Sequence, residues 1–310
     1  MQKLTVIIAT RNRCESLKDT LNSLLTQDYN DSFDYEVLVI DNNSNDKTRE
    51  VVESYFPLFN GKLRYLFESK QGKSYALNTG IKESAGDILV FTDDDVIADK
   101  KWLLNLTLCF KEYNCDAVGG RVLPLYRQKT PGWIKKNIDL LDGPIPAHDY
   151  GERSKPYAIE TMVPFIGANM AITKDCFIKN GLFDTGLGPG TPRMGDDTEL
   201  FKRLKNKAIY YCGESFVWHK IDENRTNLKY IAGWFIKSGR CGVPRKYQQR
   251  KDLVYYFRIP RYLFKETAKY FLFLIINIFN KREFLKLFRK IFMNIGAALE
   301  FRDQLGKLSK

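Results

Sequence analysis

Apolar runs and amphipathic segments alternate over the first 113 residues, and this alternation limits the fold more than any other feature of the chain. Four runs are short and rich in apolar residues, as buried strands are: LTVIIAT (4–10), YEVLVID (35–41), LRYLFE (63–68) and ILVF (88–91). Helical patterns separate them, and strands that alternate with helices form a parallel sheet with helices on both faces. We therefore predict a doubly wound, mostly parallel α/β fold.

The segments between these runs have the spacing and the start signals of helices. SLKDTLNSLLTQ (16–27) places four leucines on one face, and Ser16 is predicted to cap it. The second helix follows NSND (43–46), whose side chains are good helix caps. SYALNTGIKESA (74–85) and WLLNLTLCFKEY (102–113) complete the set.

The alternation stops at about Val118. From there to about Ile166 the chain is rich in Gly and Pro and has few periodic runs, which predicts loops and short strands over the open end of the sheet. A helical pattern returns in GDDTELFKRLKNK (195–207).

The composition suits a folded protein with reduced thiols. The 310 residues are 44% hydrophobic and 14% aromatic, which argues against disorder. The six cysteines form no CxxC pair, so we expect free thiols in a cytosolic compartment. The opening MQKLTVIIAT lacks the basic and then apolar form of a signal peptide.

Three consecutive acidic residues, Asp93–Asp95, directly follow the fourth predicted strand. Carboxylates held so close together repel one another unless a cation joins them, and Mg²⁺ is often shared between carboxylates and a substrate phosphate. Ligands of open α/β sheets bind outside the carboxyl ends of the strands. The triplet therefore indicates a metal site that holds a phosphorylated substrate. The alternative is a solvated turn that caps the helix starting near Trp102.

Other polar residues end the first two predicted strands. Asp41 could bind ribose or base polar groups, and Thr10 and Arg11 could hold a diphosphate or a base edge. Asp and Asn are ordinary turn residues, so each is a weak signal alone. Because all of them fall at the edge that carries Asp93–Asp95, we treat them as one candidate site.

Three stretches carry a resemblance to a known family. VIIATRNR, VLVIDNNSNDKT and QGKSYALNTGIKESAGDILVFTDDDV resemble the nucleotide-sugar half of the family 2 inverting glycosyltransferases of bacterial type, which have the GT-A fold. Order and spacing match throughout, above all G-x-x-x-A-x-N-x-G leading through A-G-D to the acidic triplet. The resemblance implies a nucleotide-sugar-binding half (1–120), an acceptor-binding and catalytic half of the same domain (121–227), and a basic helical C-terminal region (228–310).

The resemblance also implies roles for the residues of the donor pocket. Asp41 would contact the nucleobase, Thr10 and Arg11 would line the nucleotide pocket, and Lys73 would lie near it.

The acidic triplet would form the D-x-D motif of the family. Asp93 and Asp95 would face the ribose and a divalent metal, Mn²⁺ or Mg²⁺, and Asp94 would join the donor contacts. The family often has Asp where Thr92 stands, so the metal ligand could shift by one position.

The second half of the chain has two further resembling segments. FIGANMAITKDCFIKNGLFDTGLG (165–188) is similar to the acceptor-side segment, where Asn169 is a polar residue among apolar neighbours. MGDDTELFKRL (194–204) is similar to the family's acidic pair at a helix start, and Asp197 would be the base that takes the acceptor proton, with Asp196 as the alternative. The other interpretation is that the pair only caps the helix.

The segment FVWHKIDENRTNLKYIAGWFIKSGR (216–240) resembles a family stretch with a His and Arg pair. By that resemblance His219 would complete the metal shell and Arg225 would neutralise the diphosphate. The alternatives are a hydrogen-bonding histidine and a surface arginine. His148 is given no role.

The positive charge of the chain is concentrated in its last quarter. The net charge is +12, and residues 228–310 alone hold 19 Lys and Arg against 5 Asp and Glu, a net of +14. FLKLFRKIFMNI (284–295) places Phe284, Phe288, Ile291 and Ile295 on one helical face, with basic residues largely opposite.

A basic amphipathic helix of this kind is typical of a peripheral position on an anionic membrane surface. YFLFLIINIFN (270–280) is shorter than the roughly 20 residues needed to span a bilayer. The alternative is a helix that packs on its own domain or on another subunit of an oligomer. The tail is too apolar for nucleic-acid binding.

Together these features predict a metal-dependent inverting glycosyltransferase. The donor would be a uridine-linked nucleoside-diphosphate sugar, and the acceptor a cell-surface or lipid-linked glycan at the cytoplasmic face of a membrane. A nucleotidyltransferase would carry glycines after the first strand, and ATRNRCES has none. The remaining alternative is a non-catalytic domain that binds a glycan or a partner.

Overall fold

A computed structural model describes residues 2–28, 33–126, 130–158, 161–244 and 252–308. The chain divides into two compact units. The first contains Met1–Leu125, Pro146–Gly190 and Asp196–Lys220, and the second contains Tyr126–Ile145, Thr191–Gly195 and Ile221–Lys310.

The strands are β1 (Gln2–Thr10), β2 (Phe33–Asp41), β3 (Leu63–Phe67), β4 (Ile88–Asp93), β5 (Val96–Ala98), β6 (Ala117–Tyr126), β7 (Lys155–Pro156), β8 (Met170–Thr173), β9 (Ile209–Ile221), β10 (Tyr255–Tyr256) and β11 (Ile259–Pro260). The α-helices are α1 (Cys14–Leu25), α2 (Thr48–Tyr55), α3 (Lys73–Glu83), α4 (Trp102–Tyr113), α5 (Gly132–Lys136), α6 (Lys174–Asn180), α7 (Asp196–Arg203), α8 (Leu228–Cys241), α9 (Arg261–Ile276) and α10 (Lys281–Leu308).

The main sheet formed by these residues has the strand order β3-β2-β1-β4-β8-β6-β9-β5, with β7 beside β9. β3, β2, β1 and β4 are parallel, and β4 then pairs with β8 in the antiparallel direction. Register places Thr10 opposite Asp41 and Ala9 opposite Asp93. The carboxyl ends of β1, β2 and β4 therefore lie side by side, which is where the sequence predicts the site.

Two apolar layers cover the sheet. Alternate residues of a strand point to opposite faces, so each strand contributes to both layers. One layer packs the sheet against α1, α2 and α4, and includes Leu21, Val52 and Leu106. The other packs it against α3, α6 and α7, and includes Leu77 and Phe201. The predicted α/β fold with helices on both faces is confirmed.

The four predicted strands and the helices between them are all present, with small shifts at their ends. The prediction that Ser16 caps the first helix is wrong, because α1 already begins at Cys14. The side-chain cap predicted for the second helix is not found, because Lys47 occupies the N-cap position of α2 and no side chain caps the helix there. Asp46, one residue earlier, accepts a hydrogen bond from the Thr48 amide at 3.1 Å.

The sequence prediction missed two long strands, β6 and β9. Gly119, Gly120 and Pro124 lie within β6, and such residues weaken a strand signal. The glycines are required by packing, because a Cβ on Gly119 would overlap the Phe165 ring and one on Gly120 would overlap the Asn169 amide.

A buried amide fastens the antiparallel part of the sheet to α4. Asn169 Nδ2 donates to the carbonyl oxygens of Arg121 in β6 (2.8 Å) and Ser215 in β9 (3.2 Å). Asn169 Oδ1 accepts from the indole Nε1 of Trp102 at 2.8 Å. Trp102 and Asn169 are both fully buried, so the indole N–H and the side-chain amide cannot bond to water instead.

We expect Asn169→Ala to lower the free energy of unfolding by roughly 3 kcal/mol, because it leaves three buried polar groups without partners. Urea denaturation measures the change. Asn105→Ala is the matched control, since its amide donates to the Glu214 carbonyl at 2.7 Å in an exposed position. Equal losses in the two variants would contradict the fastening role.

The second unit is built around α8 and α10. A Cβ on Gly239 would overlap the Met293 carbonyl, and one on Gly296 would overlap the Ile236 carbonyl, so these glycines let the two helices approach closely. Arg240 Nη1 pairs with Glu300 Oε2 at 3.0 Å and reinforces the contact.

The amphipathic helix predicted near the C-terminus exists as α10, but its apolar face is not free. Phe288 and Ile291 are buried in the second unit, and Leu285 is buried beside them. The prediction that this face meets a membrane is therefore wrong, because it packs on its own unit. Among the described residues, no helix has the length and apolar character that a bilayer crossing requires.

Candidate active site

Two carboxylates and one imidazole form a compact group at the end of β4. Ligand atoms of Asp93, Asp95 and His219 all lie within 4.8 Å of one another. His219 Nε2 is 3.2 Å from Asp95 Oδ1 and 3.5 Å from Asp93 Oδ2. β9 brings the histidine there by pairing with β5, where Val96 is opposite His219. The structure thus brings together the three residues predicted as metal ligands.

The tautomer of His219 makes this group suited to a cation. Its Nδ1 lies 3.1 Å from the Lys220 carbonyl oxygen, which can only accept, so Nδ1 carries the proton. In the neutral ring, the Nε2 lone pair then points toward two carboxylate oxygens. One imidazole nitrogen and two carboxylate groups so close together form a ligand set for a divalent cation. Mn²⁺ and Mg²⁺ both accept such oxygen-rich ligand sets.

Asp94 faces a different pair of residues. Its Oδ2 accepts a hydrogen bond from Thr10 Oγ1 at 2.7 Å, and Arg13 Nη1 lies 3.2 Å from its Oδ1. Arg13 Nη1 also pairs with Asp95 Oδ2 at 2.5 Å. Burial and the nearby Asp95 charge raise the pKa of Asp94 to about 6. Sequence reasoning missed Arg13; its signal was the second arginine of ATRNR, one residue before α1.

The other predicted donor residues line the same edge. Asp41 is buried, and its oxygens accept from the Ser44 amide at 2.9 Å and from the Tyr65 hydroxyl at 2.8 Å. Arg11 lies with its guanidinium against the Gln71 amide.

Lys73, the first residue of α3, lies between two acidic groups. Its Nζ pairs with Asp93 Oδ1. A Cβ built on Gly167 would be 3.4 Å from Lys73 Nζ and 3.4 Å from Asp197 Oδ1, so the lysine also lies close to Asp197. Burial alone would lower the pKa of Lys73, but Asp93, Asp197 and Asp196 outweigh it and raise the pKa.

Asp197 has the environment of a proton acceptor. Its Oδ2 accepts a hydrogen bond from the Gly167 amide at 3.0 Å, while Oδ1 is buried and has no hydrogen-bond partner among the described residues. Burial, followed by the charge of Asp196, raises the pKa of Asp197 to about 8. Burial also raises the pKa of Asp196, which lies against Gly188. The contact with Gly167 shows that Asp197 does more than cap α7, and sequence reasoning missed that amide.

Two further residues, Asn169 and Arg225, were predicted to contact the diphosphate or the acceptor. Asn169 has both amide hydrogens bonded to carbonyls inside the sheet, so its side chain has a structural role and the predicted acceptor contact gains no support. Arg225 belongs to the 3-10 turn Glu223–Thr226 of the second unit, and its role stays a prediction. His148, which was given no role, is buried among Tyr150 and Phe165.

The mixed sheet, the D-x-D group at its carboxyl edge and the second acidic pair define a GT-A glycosyltransferase. The chain belongs to glycosyl transferase family 2, whose sequence profile matches residues 5–187, more than half of its length. The predicted family and the predicted enzyme class are therefore confirmed.

Two curated proteins of Haloferax volcanii are among its relatives. Glycosyltransferase AglE is 38% identical over 120 residues, which are 38% of this chain and 39% of AglE. Glucosyl-dolichyl phosphate glucuronosyltransferase is 26% identical over 243 residues, which are 74% of this chain and 72% of that protein. The chain thus spans well under half of AglE.

Two solved structures share the fold. TarS residues 1–349 of S. aureus, in complex with UDP-GlcNAc, align with a TM-score of 0.56 and 18% identity over 76% of this chain and 67% of that chain. The mannosyltransferase PcManGT of Pyrobaculum calidifontis, in complex with GDP-Man and Mn²⁺, aligns with a TM-score of 0.57 and 17% identity over 99% of this chain and 75% of that chain.

We expect Asp197→Asn to make the protein more stable than wild type, by a margin that grows with pH. The pKa of Asp197 is about 8 in the folded protein against an ordinary 3.8. Its neutral form therefore contributes its full share to the free energy of unfolding below pH 3.8, and this contribution is lost as the pH rises toward 8. An asparagine has no such loss. Thermal unfolding from about pH 4 to 8 should show a gap that widens by several degrees.

Asp175→Asn is the control for this experiment, because that carboxylate is exposed and pairs only with Lys179 on the surface. A gap between Asp197→Asn and wild type that stays constant with pH would refute the raised pKa.

Proposed function

We propose that this protein transfers a sugar from a uridine-linked nucleoside-diphosphate sugar to an acceptor hydroxyl, with inversion at the anomeric carbon. The observation that carries the proposal is the presence of two acidic centres joined by one lysine. Asp93, Asp95 and His219 form the first centre, Asp197 is the second, and Lys73 lies between them.

The first centre is suited to the donor diphosphate. A divalent cation held by Asp93, Asp95 and His219, Mn²⁺ or Mg²⁺, would stabilise the negative charge that develops on the departing diphosphate. Arg13 pairs with Asp95, so its guanidinium would also place positive charge near the departing diphosphate. Asp41 and Thr10, on neighbouring strand ends, would bind the nucleoside.

The second centre is suited to the acceptor. The free Oδ1 of Asp197 accepts the proton of the acceptor hydroxyl, and the oxygen then attacks the anomeric carbon from the face opposite the diphosphate. A carboxylate is an efficient general base when its pKa is near the working pH, and burial together with Asp196 raises the pKa of Asp197 in that direction. The Gly167 amide holds the other oxygen and so fixes the carboxylate for this transfer.

We further propose a lipid-linked or cell-surface acceptor. The names of two relatives support this class: a glucosyl-dolichyl phosphate glucuronosyltransferase and the poly(ribitol-phosphate) β-N-acetylglucosaminyltransferase TarS, which is 29% identical over 140 residues. Both names contain a phosphate-bearing compound, glucosyl-dolichyl phosphate in one and poly(ribitol-phosphate) in the other. The proposal includes a position at the inner face of a membrane, where a lipid-linked acceptor would be available.

The test of this proposal is a donor panel. The protein is incubated with Mn²⁺, membrane lipid extract and several nucleoside-diphosphate sugars, and free nucleoside diphosphate is measured. We expect release from a uridine-linked donor, loss of release with EDTA and recovery with excess Mn²⁺. His219→Gln should lower release at limiting Mn²⁺, because it removes one of three ligands.

Asp175→Asn, which changes a surface carboxylate, is the control and should match wild type. Release of pyrophosphate in place of nucleoside diphosphate would mean nucleotidyl transfer. No release from any donor would leave a binding domain and would contradict the proposal.

A further inference from the structure

The second unit exposes a continuous apolar surface along the last turns of α9 and the residues that follow. Leu272 and Ile276 are 59% and 67% exposed, and Phe279 is 96% exposed. Phe271 and Ile275 lie beside them and are also more than half exposed. We call these five residues the α9 apolar surface. Apolar side chains grouped in this way usually mark a surface that binds a partner or a membrane.

The sequence segment that contains this surface is YFLFLIINIFN (270–280), which is too short to cross a bilayer. It differs from α10, whose apolar face is buried within the unit at Leu285, Phe288 and Ile291. The apolar area available to a partner is thus on α9 and not on the helix that sequence periodicity favours.

Basic residues continue the same side of α9 toward its N-terminus. Arg261, Lys265 and Lys269 follow one another at a spacing of four, and Leu272 and Ile276 extend the row. No carboxylate of the described residues pairs with Lys265 or Lys269. This row of α9 is therefore cationic in its first half and apolar in its second.

A cleft of about 970 Å³ lies at the apolar end of this surface. Its walls include Trp133, Lys136, Phe279, Lys281 and Arg282. Arg282 pairs with Asp139 at 2.6 Å, whereas Lys136 and Lys281 have no acidic partner within the described ranges. The cleft thus combines aromatic rings with two ammonium groups available to an anion.

We propose that the α9 apolar surface docks on an anionic lipid bilayer. Leu272, Ile275, Ile276 and Phe279 enter the interface between headgroups and acyl chains, as the apolar face of an interfacial helix does. The row from Arg261 to Lys269 lies along the headgroups and binds their phosphates, and the cleft beside Phe279 receives one headgroup through Lys136 and Lys281.

Charge favours a bilayer over a second copy of the chain as the occupant. Residues 254–286, which contain the surface, hold seven Lys or Arg and two Glu. Two copies joined through this surface would bring like charges together, which costs free energy, whereas anionic headgroups offset them.

Vesicle flotation of the full chain tests the proposal, without donor or acceptor present. We expect the protein to float with phosphatidylcholine vesicles that contain about a quarter phosphatidylglycerol, and to stay behind with pure phosphatidylcholine. The double variant Leu272→Ser with Ile276→Ser should reduce the bound fraction roughly tenfold, because it removes apolar side chains that enter the bilayer. Lys265→Gln with Lys269→Gln should weaken binding to anionic vesicles by a similar factor.

The matched control is Leu58→Ser with Ile178→Ser, which changes two exposed apolar residues of the first unit, 58% and 75% exposed. It should bind vesicles as wild type does. All changed residues are exposed, so thermal unfolding should be unaltered, and it is measured for each variant.

Wild-type binding by the Leu272 and Ile276 variant, or no binding of wild type to anionic vesicles, would overturn the proposal. Light scattering tests the alternative that the surface joins two copies of the chain. That alternative predicts a wild-type dimer, a monomer in the Leu272 and Ile276 variant, and no vesicle binding by either protein. Neither result bears on the sugar-transfer chemistry, which is measured separately by nucleoside diphosphate release.

Discussion

The structure depends on holding five carboxylates together at one edge of a sheet. They belong to Asp93, Asp94, Asp95, Asp196 and Asp197, and the last four all lie away from bulk water in whole or in part. Carboxylates in such an environment raise one another's pKa, as the values of about 6 for Asp94 and about 8 for Asp197 illustrate. Two cations, Lys73 and Arg13, offset part of this charge, and the rest makes the edge receptive to a divalent ion.

Lys73 organises the edge, because it lies near two carboxylates, Asp93 and Asp197, whose pKa values are shifted in opposite directions. Its ammonium group pairs with Asp93 and keeps the pKa of that carboxyl below its ordinary range despite burial. Asp197 is farther from the ammonium group and is left with a raised pKa. One carboxylate is thus kept ionised for a metal, and the other can hold or release a proton near neutral pH. Such a division of roles is what a transferase needs at its donor and acceptor sides.

The parallel half of the fold could be predicted from the sequence because its signals are local. Each strand from β1 to β4 is a short apolar run, and the residue that ends it falls at the functional edge by the geometry of parallel strands. β6 could not be predicted in this way, since the glycines that let it pack against Phe165 and Asn169 also weaken its strand pattern.

Residues that reach the site from distant parts of the chain could not be predicted from sequence periodicity. His219 reaches Asp95 only through the pairing of β9 with β5, and its metal role was implied by a family resemblance and not by its own sequence context. Arg13 looked like any loop arginine. For residues 284–295 the apolar pattern predicted an amphipathic helix, but the burial of its apolar face depends on the close contact of α8 and α10 at Gly239 and Gly296.

Calorimetric titration of uridine diphosphate, paired with the rate of sugar transfer, tests the division between the two centres most directly. With Mn²⁺ present, we expect Asp197→Asn to bind the nucleotide about as tightly as wild type and to transfer sugar roughly a thousandfold more slowly, because only the base is lost. Asp95→Asn should lose the part of the nucleotide affinity that depends on Mn²⁺. If Asp197→Asn lost nucleotide binding to the same extent, or kept wild-type transfer, the assignment of Asp197 as the base would be contradicted.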